Sequence, residues 1–199
     1  VIFLNILHLC QNAFDALGKA FFQVASVITT TGFATADFDL WPTASKTVLI
    51  MLMFVGACAG STGGGMKVSR YIIMVKTIAK EFGSYIHPKS IKKLKMDGKP
   101  IEHEVVRSTN VYFITFFLLF AASVFLVSLE GQDPVTSFTA VVATINNIGP
   151  GLAAVGPAAN FAGLSVGSKW VLIFDMLAGR LELFPMLLLF TPGTWQRNK

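Results

Sequence analysis

Two stretches of the chain, residues 47–66 and 108–129, contain no Asp, Glu, Lys or Arg, and each has the roughly 20-residue length that a helix needs to cross a bilayer core. A third apolar run, residues 170–190, is interrupted by Asp175, Arg180 and Glu182. The pattern predicts helices in all three. Between the last two lies residues 134–168, uncharged throughout, whose two ends must share one side of the membrane if the flanking helices each cross once. The segment therefore has to dip in and return.

Residues 135–145 suit a short helix of about 16 Å, half of a roughly 30 Å hydrocarbon core, with Pro134 in its first turn. The following Asn146-Asn147-Ile148-Gly149-Pro150-Gly151 cannot stay helical. Such backbone is tolerated at membrane depth only against protein or a water-filled cavity, which predicts a re-entrant pore loop. The design recurs upstream. A shift of 117 residues aligns Phe21 with Phe138, Val24 with Val141, Ile28 with Ile145 and Gly32 with Gly149; a shift of 123 matches six of eleven positions from Lys46 to Gly56, including Lys46 with Lys169, Met53 with Met176 and Gly56 with Gly179. The expected fold is all-α and integral to the membrane, with tandem helix–pore-loop–helix repeats of the potassium-channel kind. Residues 1–79 form one repeat, with a re-entrant loop at about 14–33 and a second helix broken by a glycine loop at 56–65; residues 107–199 form the next. Residues 1–12 would reach only about 18 Å as a helix, so the first repeat is expected to lack part of its outer helix and further sequence is expected before Val1.

Composition agrees with this pattern: 53% of residues are hydrophobic and 14% charged, against about 45–50% and 25% for soluble domains. The 18 phenylalanines exclude disordered, coiled-coil and collagen-like chains. Cys10 and Cys58 show no metal or disulfide spacing, and His8, His87 and His103 form no cluster. The net charge of +5 reflects a concentration of 10 of the 16 basic residues between Lys67 and Arg107. This is a topology signal rather than a nucleic-acid site: it puts the basic linker, residues 80–106, on the cytoplasmic side. Arg197 and Lys199 then fall on that side as well. The same linker could meet acidic lipid heads. Val1 to Asn12 lacks the basic start and cleavage site of a signal peptide.

Thr29-Thr30-Thr31-Gly32-Phe33 and its counterpart Asn146 to Pro150 carry the candidate chemistry. A dehydrated monovalent cation needs a ring of oxygen dipoles in place of water, which backbone carbonyls around a narrow axis supply; glycine permits positive φ and close backbone approach. Each motif alone reads as an ordinary turn, and recurrence in two aligned loops favours the pore. Five glycines between Gly56 and Gly65, each costing about 1 kcal/mol in a helix interior, break the helix over residues 47–66. Helix packing through Gly56xxxGly60 and Gly60xxxGly64 is the competing reading, and the spacing to Lys67 does not make a phosphate loop. Arg180 within an apolar run is costly and marks a pathway; Asp175 and Glu182 do not share its helix face. Asp37 and Asp39, after the first loop, concentrate cations or merely solvate the surface.

The blocks ITTTGFATADFDLWP (residues 28–42), GACAGSTGGGMK (56–67), NNIGPGL (146–152) and GRLELF (179–184) together resemble the C-terminal half of the Trk/Ktr/HKT potassium-transporter superfamily, most closely its bacterial TrkH branch. The resemblance covers essentially the whole chain. It implies a pore of four such repeats in one polypeptide, of which this chain carries the last two, and potassium uptake across the bacterial inner membrane. By position it implies a selectivity filter of Thr30, Thr31, Gly32, Asn147, Ile148 and Gly149, with potassium at Thr30, Thr31, Asn147 and Ile148. It also implies a gate of Gly60, Ser61, Thr62, Gly63, Gly64, Gly65 and Arg180, the arginine at the constriction and able to hydrogen-bond the loop. No cofactor is implied beyond potassium as the transported ligand. The implied partners are membrane lipid, the missing N-terminal half of the polypeptide, a second copy in a homodimer, and a cytoplasmic nucleotide-binding regulatory ring of the TrkA type. Sodium permeation is the alternative within the superfamily. A membrane-anchored interaction module is an alternative from another class, while an intramembrane enzyme lacks a nucleophile or acid–base pair in the spans.

Overall fold

The structure, a computed structural model, describes residues 1–189 except 57, 59, 62, 87–93, 97 and 182. Arg197, Lys199, His87 and Glu182 thus lie outside the described residues. Eight helices dominate the described residues: α1 (Ile2–Ile6), α2 (Ala13–Ile28), α3 (Thr43–Phe54), α4 (Val68–Ile86), α5 (His103–Ser128), α6 (Pro134–Ile145), α7 (Val166–Arg180) and α8 (Leu183–Leu189). Of these, α5 is long and apolar enough to cross a membrane alone; its 26 residues reach about 39 Å. Its inward residues Thr109, Tyr112, Phe113, Phe116, Ser123 and Val127 are buried, while Ile114, Phe117, Leu118 and Phe125 are exposed. Apolar side chains on both faces suit a helix between a protein core and lipid.

The short helix α6 is the most enclosed element. Asp133 caps it, accepting the N–H groups of Val135 and Thr136 at 3.0 and 3.3 Å, and Pro134 takes the first turn, where its missing N–H costs nothing. Nine of its 12 residues are buried among α3, α5 and α7. The equivalent α2 packs on α1 and α3 through Ile2, Ile6, Ala16, Ala20, Val27, Leu49 and Met53. Phe120 of α5 ties the two repeats, meeting Phe54 and Phe138 edge-on at 5.6 and 5.3 Å.

The helix over residues 47–66 is interrupted at the glycine run: α3 stops at Phe54 and α4 begins at Val68. Two other expectations need correction. Arg180 is not midway along a helix. It is the last residue of α7, and α8 restarts at Leu183 because Pro185 in an unbroken helix would clash with the Leu181 carbonyl and leave it without a donor. The basic linker is shorter than residues 80–106: α4 runs to Ile86 and α5 starts at His103, with a hairpin between them pairing β1 (Lys95–Met96) and β2 (Lys99–Pro100). Lys76 of α4 donates to the Lys95 carbonyl at 2.8 Å.

Candidate functional site

Helices α2 and α6 end in the same turn, bond for bond. Thr30 N–H reaches the Val27 carbonyl at 3.1 Å and Thr31 N–H the Ser26 carbonyl at 2.9 Å; at an offset of 117, Asn147 N–H reaches Thr144 at 2.9 Å and Ile148 N–H reaches Ala143 at 2.8 Å. These are the paired bonds that close a helix when the next residue turns left-handed. That residue is Thr30 at φ +54° in one repeat and Asn147 at φ +55° in the other, followed by Gly32 at +78° and Gly149 at +112°.

Beyond the turns the two strands lie side by side. A Cβ on Gly32 would overlap the Ile148 carbonyl, so glycine is required there by contact as well as by φ. Among the described residues, no hydrogen bond reaches the carbonyl oxygens of residues 29–32 or 146–149. Buttresses hold each returning strand. In the first, Ser26 Oγ donates to the Phe33 carbonyl at 2.6 Å and the buried Gln23 Nε2 to Ala36 at 3.3 Å. In the second, Thr139 Oγ1 accepts from Leu152 N–H at 3.0 Å and Thr136 Oγ1 from Ala154 N–H at 3.3 Å. Asn147 Nδ2 is anchored on the Met176 carbonyl at 3.1 Å, and Gly179 of α7 lies so close to the Ile145 carbonyl that a side chain would overlap it. A cavity of about 600 Å³ opens beside this second strand, lined by Asn147, Ile148, Gly149, Ile173 and Met176 among others.

The glycine loop sits against both turns. Its base is closed by Gly56 N–H to the Met66 carbonyl at 2.8 Å. Gly64 N–H donates to Thr30 Oγ1 at 3.3 Å; a Cβ on Gly64 would overlap the Asn146 carbonyl, and one on Gly65 would stand 3.2 Å from Asn146 Oδ1, itself buried with no donor among the described residues. Tyr71 O–H caps the end of α3 through the Phe54 carbonyl at 2.9 Å. Gly60 and Ser61 are exposed and Gly63 half-buried, while Thr62 lies outside the described residues.

Thr30, Thr31, Gly32, Asn147, Ile148 and Gly149 are therefore brought together, with Gly64 and Gly65 beneath them. Arg180 is exposed at the end of α7 and makes no hydrogen bond or ion pair among the described residues. The residue that does hold the loop is Lys67, whose Nζ donates to the Ser61 and Gly63 carbonyls at 2.7 and 2.5 Å. Its place two residues after the glycine run was the sequence signal for this. Asp37 and Asp39 are engaged locally: Asp37 Oδ1 accepts from Asp39 N–H at 3.0 Å, and Lys46 donates to the Asp39 carbonyl at 2.9 Å.

The family model for TrkH, described as a cation transport protein, matches residues 10–196. The Trk system potassium uptake protein TrkH of Salmonella typhimurium is 39% identical over 189 residues, which are 95% of this chain and 39% of that protein. The protein of the same name from Vibrio parahaemolyticus is 39% identical over 198 residues, 98% of this chain and 40% of that one. The crystal structure of the potassium transporter TrkH from Vibrio parahaemolyticus superposes with a TM-score of 0.88, covering 98% of this chain and 42% of that chain at 39% identity. The chain thus spans about two fifths of the length of the curated relatives it matches.

Proposed function

The chain belongs to the TrkH family of cation transport proteins, and from that premise we propose that it supplies two of the loops around a potassium-permeable pore. The membrane transporter fold and the membrane location follow from the family. One observation carries the rest: two helix ends related by 117 residues make the same left-handed turn and deliver neighbouring backbone whose carbonyls have no donor among the described residues. Backbone carbonyls at membrane depth need partners, and a dehydrated cation is one. The relatives' printed names specify potassium uptake, which supports potassium as the ion.

On this reading Thr30, Thr31 and Gly32 form one filter strand and Asn147, Ile148 and Gly149 another, with potassium bound at Thr30, Thr31, Asn147 and Ile148. The loop from Gly60 to Gly65, Thr62 included, is the gate beneath them, and Arg180 adds positive charge below the filter at the α7–α8 break. The pore is completed by two further repeats. The basic segment facing the cytoplasm is the docking surface for a nucleotide-binding regulatory ring, and two such subunits form a homodimer in the inner membrane.

The test is rubidium and sodium flux through the intact protein in liposomes. Rubidium, standing for potassium, is expected to pass in preference to sodium. Gly32→Ser, which puts a side chain into the Ile148 carbonyl, is expected to lower that preference by about tenfold, the effect of ~1.4 kcal/mol on an equilibrium. Equal passage of both ions by the unaltered protein would favour a sodium-permeable transporter instead.

A further inference from the structure

We propose that Lys67 is the latch of the glycine loop, the residue that positions the gate. Ten residues with five glycines have no conformation of their own, and fixing each costs about 1–2 kcal/mol. Contacts from outside the loop must supply what its sequence does not. Gly56 N–H to Met66 closes the base, and within the loop Ser61 N–H meets the Cys58 carbonyl at 3.1 Å and Gly63 N–H meets Ser61 Oγ at 3.2 Å. Across its tip, among the described residues, the Lys67 ammonium donates to the Ser61 and Gly63 carbonyls. Charge-assisted bonds of this kind are roughly twice as strong as neutral ones, more so away from water.

The geometry links the latch to the filter. Gly63 is bonded to Lys67 on its carbonyl side, and the next residue, Gly64, donates to Thr30 and lies against Asn146. Lys67 therefore holds the loop against both turns and keeps a positive charge on the loop's carbonyls. Losing the ammonium removes both the clamp and the charge; an arginine keeps both, with its fork able to span two carbonyls. The proposal rests on the pore reading above, so its test needs a readout that does not depend on flux. Cys58, exposed within the loop, provides one.

The intact protein is reconstituted with Cys10→Ser alone and with added Lys67→Met, Lys67→Gln or Lys67→Arg. The rate at which a membrane-impermeant thiol reagent modifies Cys58 is measured beside rubidium and sodium flux. The Met and Gln variants are expected to react about tenfold faster, the population change made by ~1.4 kcal/mol, and to pass more rubidium at an unaltered rubidium-to-sodium ratio. The Arg variant is expected to stay at the parent values on both readouts. Gln serves where the Met variant does not assemble. Unchanged Cys58 rates in the Met and Gln variants overturn the latch. Faster Cys58 modification with no rubidium flux from any protein upholds the latch and overturns the pore.

Discussion

Left-handed backbone at a β-branched residue is rare and costs about 1–3 kcal/mol, and Thr30 occupies it at φ +54°. The other repeat places Asn147 at the same point, φ +55°, a residue that tolerates this conformation. Thr30 stays because its Oγ1 accepts the Gly64 N–H. Asparagine at position 30 relieves the backbone and keeps an acceptor, so Thr30→Asn is expected to stabilise the protein by roughly 1 kcal/mol. Thermal unfolding in detergent measures it; a lower melting temperature would show that the hydroxyl geometry outweighs the strain. Residue-level chemistry was legible where it repeats. Gly32 and Gly149 announced themselves through the 117-residue offset, but nothing in TTTG or NNIG marks Thr30 and Asn147 as the left-handed positions. Gly56 and Gly179 share a register and both serve close packing, the first against the Gly64 carbonyl at 2.6 Å from a would-be Cβ and the second against Ile145. The partner differs, which sequence offsets do not encode.

At the scale of elements, α5 and α6 were readable because apolar length, Asp133 and Pro134 all point the same way. The break after α3 was readable from the cost of five glycines. The break after α7 was missed although Pro185 signals it, because the apolar run continues past the break and hides the clash with Leu181. The extent of α4 was missed because lysines mark topology and not helix ends. The start of α7 has a partner that no local pattern shows: Glu130, just beyond α5, accepts from Ser165 Oγ, from Ser168 N–H at 3.1 Å and from Ser168 Oγ at 2.5 Å. A carboxylate at a helix N-terminus is favoured by the unpaired N–H groups and the dipole. The Ser165 and Ser168 hydroxyls hold the Glu130 carboxyl below its ordinary value. A lowered value means the contribution is complete above the unfolded-state value, about 4.3 for Glu, and is lost as pH falls through the folded one. Glu130→Gln is therefore expected to melt at a lower temperature than the unaltered protein near neutral pH, with the difference shrinking towards zero in acid below about pH 4. A difference that does not change with pH would mean that the charge contributes nothing and the side chain acts through shape alone.

At the scale of the molecule, the two repeats are unequally covered. Phe138 of α6 meets Phe120 of α5 at 5.3 Å, whereas its equivalent Phe21 is 75% exposed and Phe14 87%, α2 packing on α1 and α3 among the described helices. On the other flank, Met53 of α3 is buried and Ile50 half-buried in the cluster that contains Val142 and Ile148, but their equivalents Met176 and Ile173 on α7 are each 46% exposed and line the cavity beside Ile148 and Gly149. Lipid could cover exposed apolar side chains. It cannot cover bare carbonyls, because backbone polar groups unsatisfied in hydrocarbon cost several kcal/mol each. On the proposed pore reading, the carbonyls of residues 29–32 and 146–149 meet more protein and an ion on their open side, with two further loops of the same design on the flanks. The chain reconstituted by itself is expected to show no preference for rubidium over sodium, and the preference is expected to return when a polypeptide carrying two more such repeats is reconstituted with it. The rubidium-to-sodium flux ratio in the two preparations decides this. Selective flux from the chain alone would mean that two strands, or two copies of this chain, close a filter without the additional repeats.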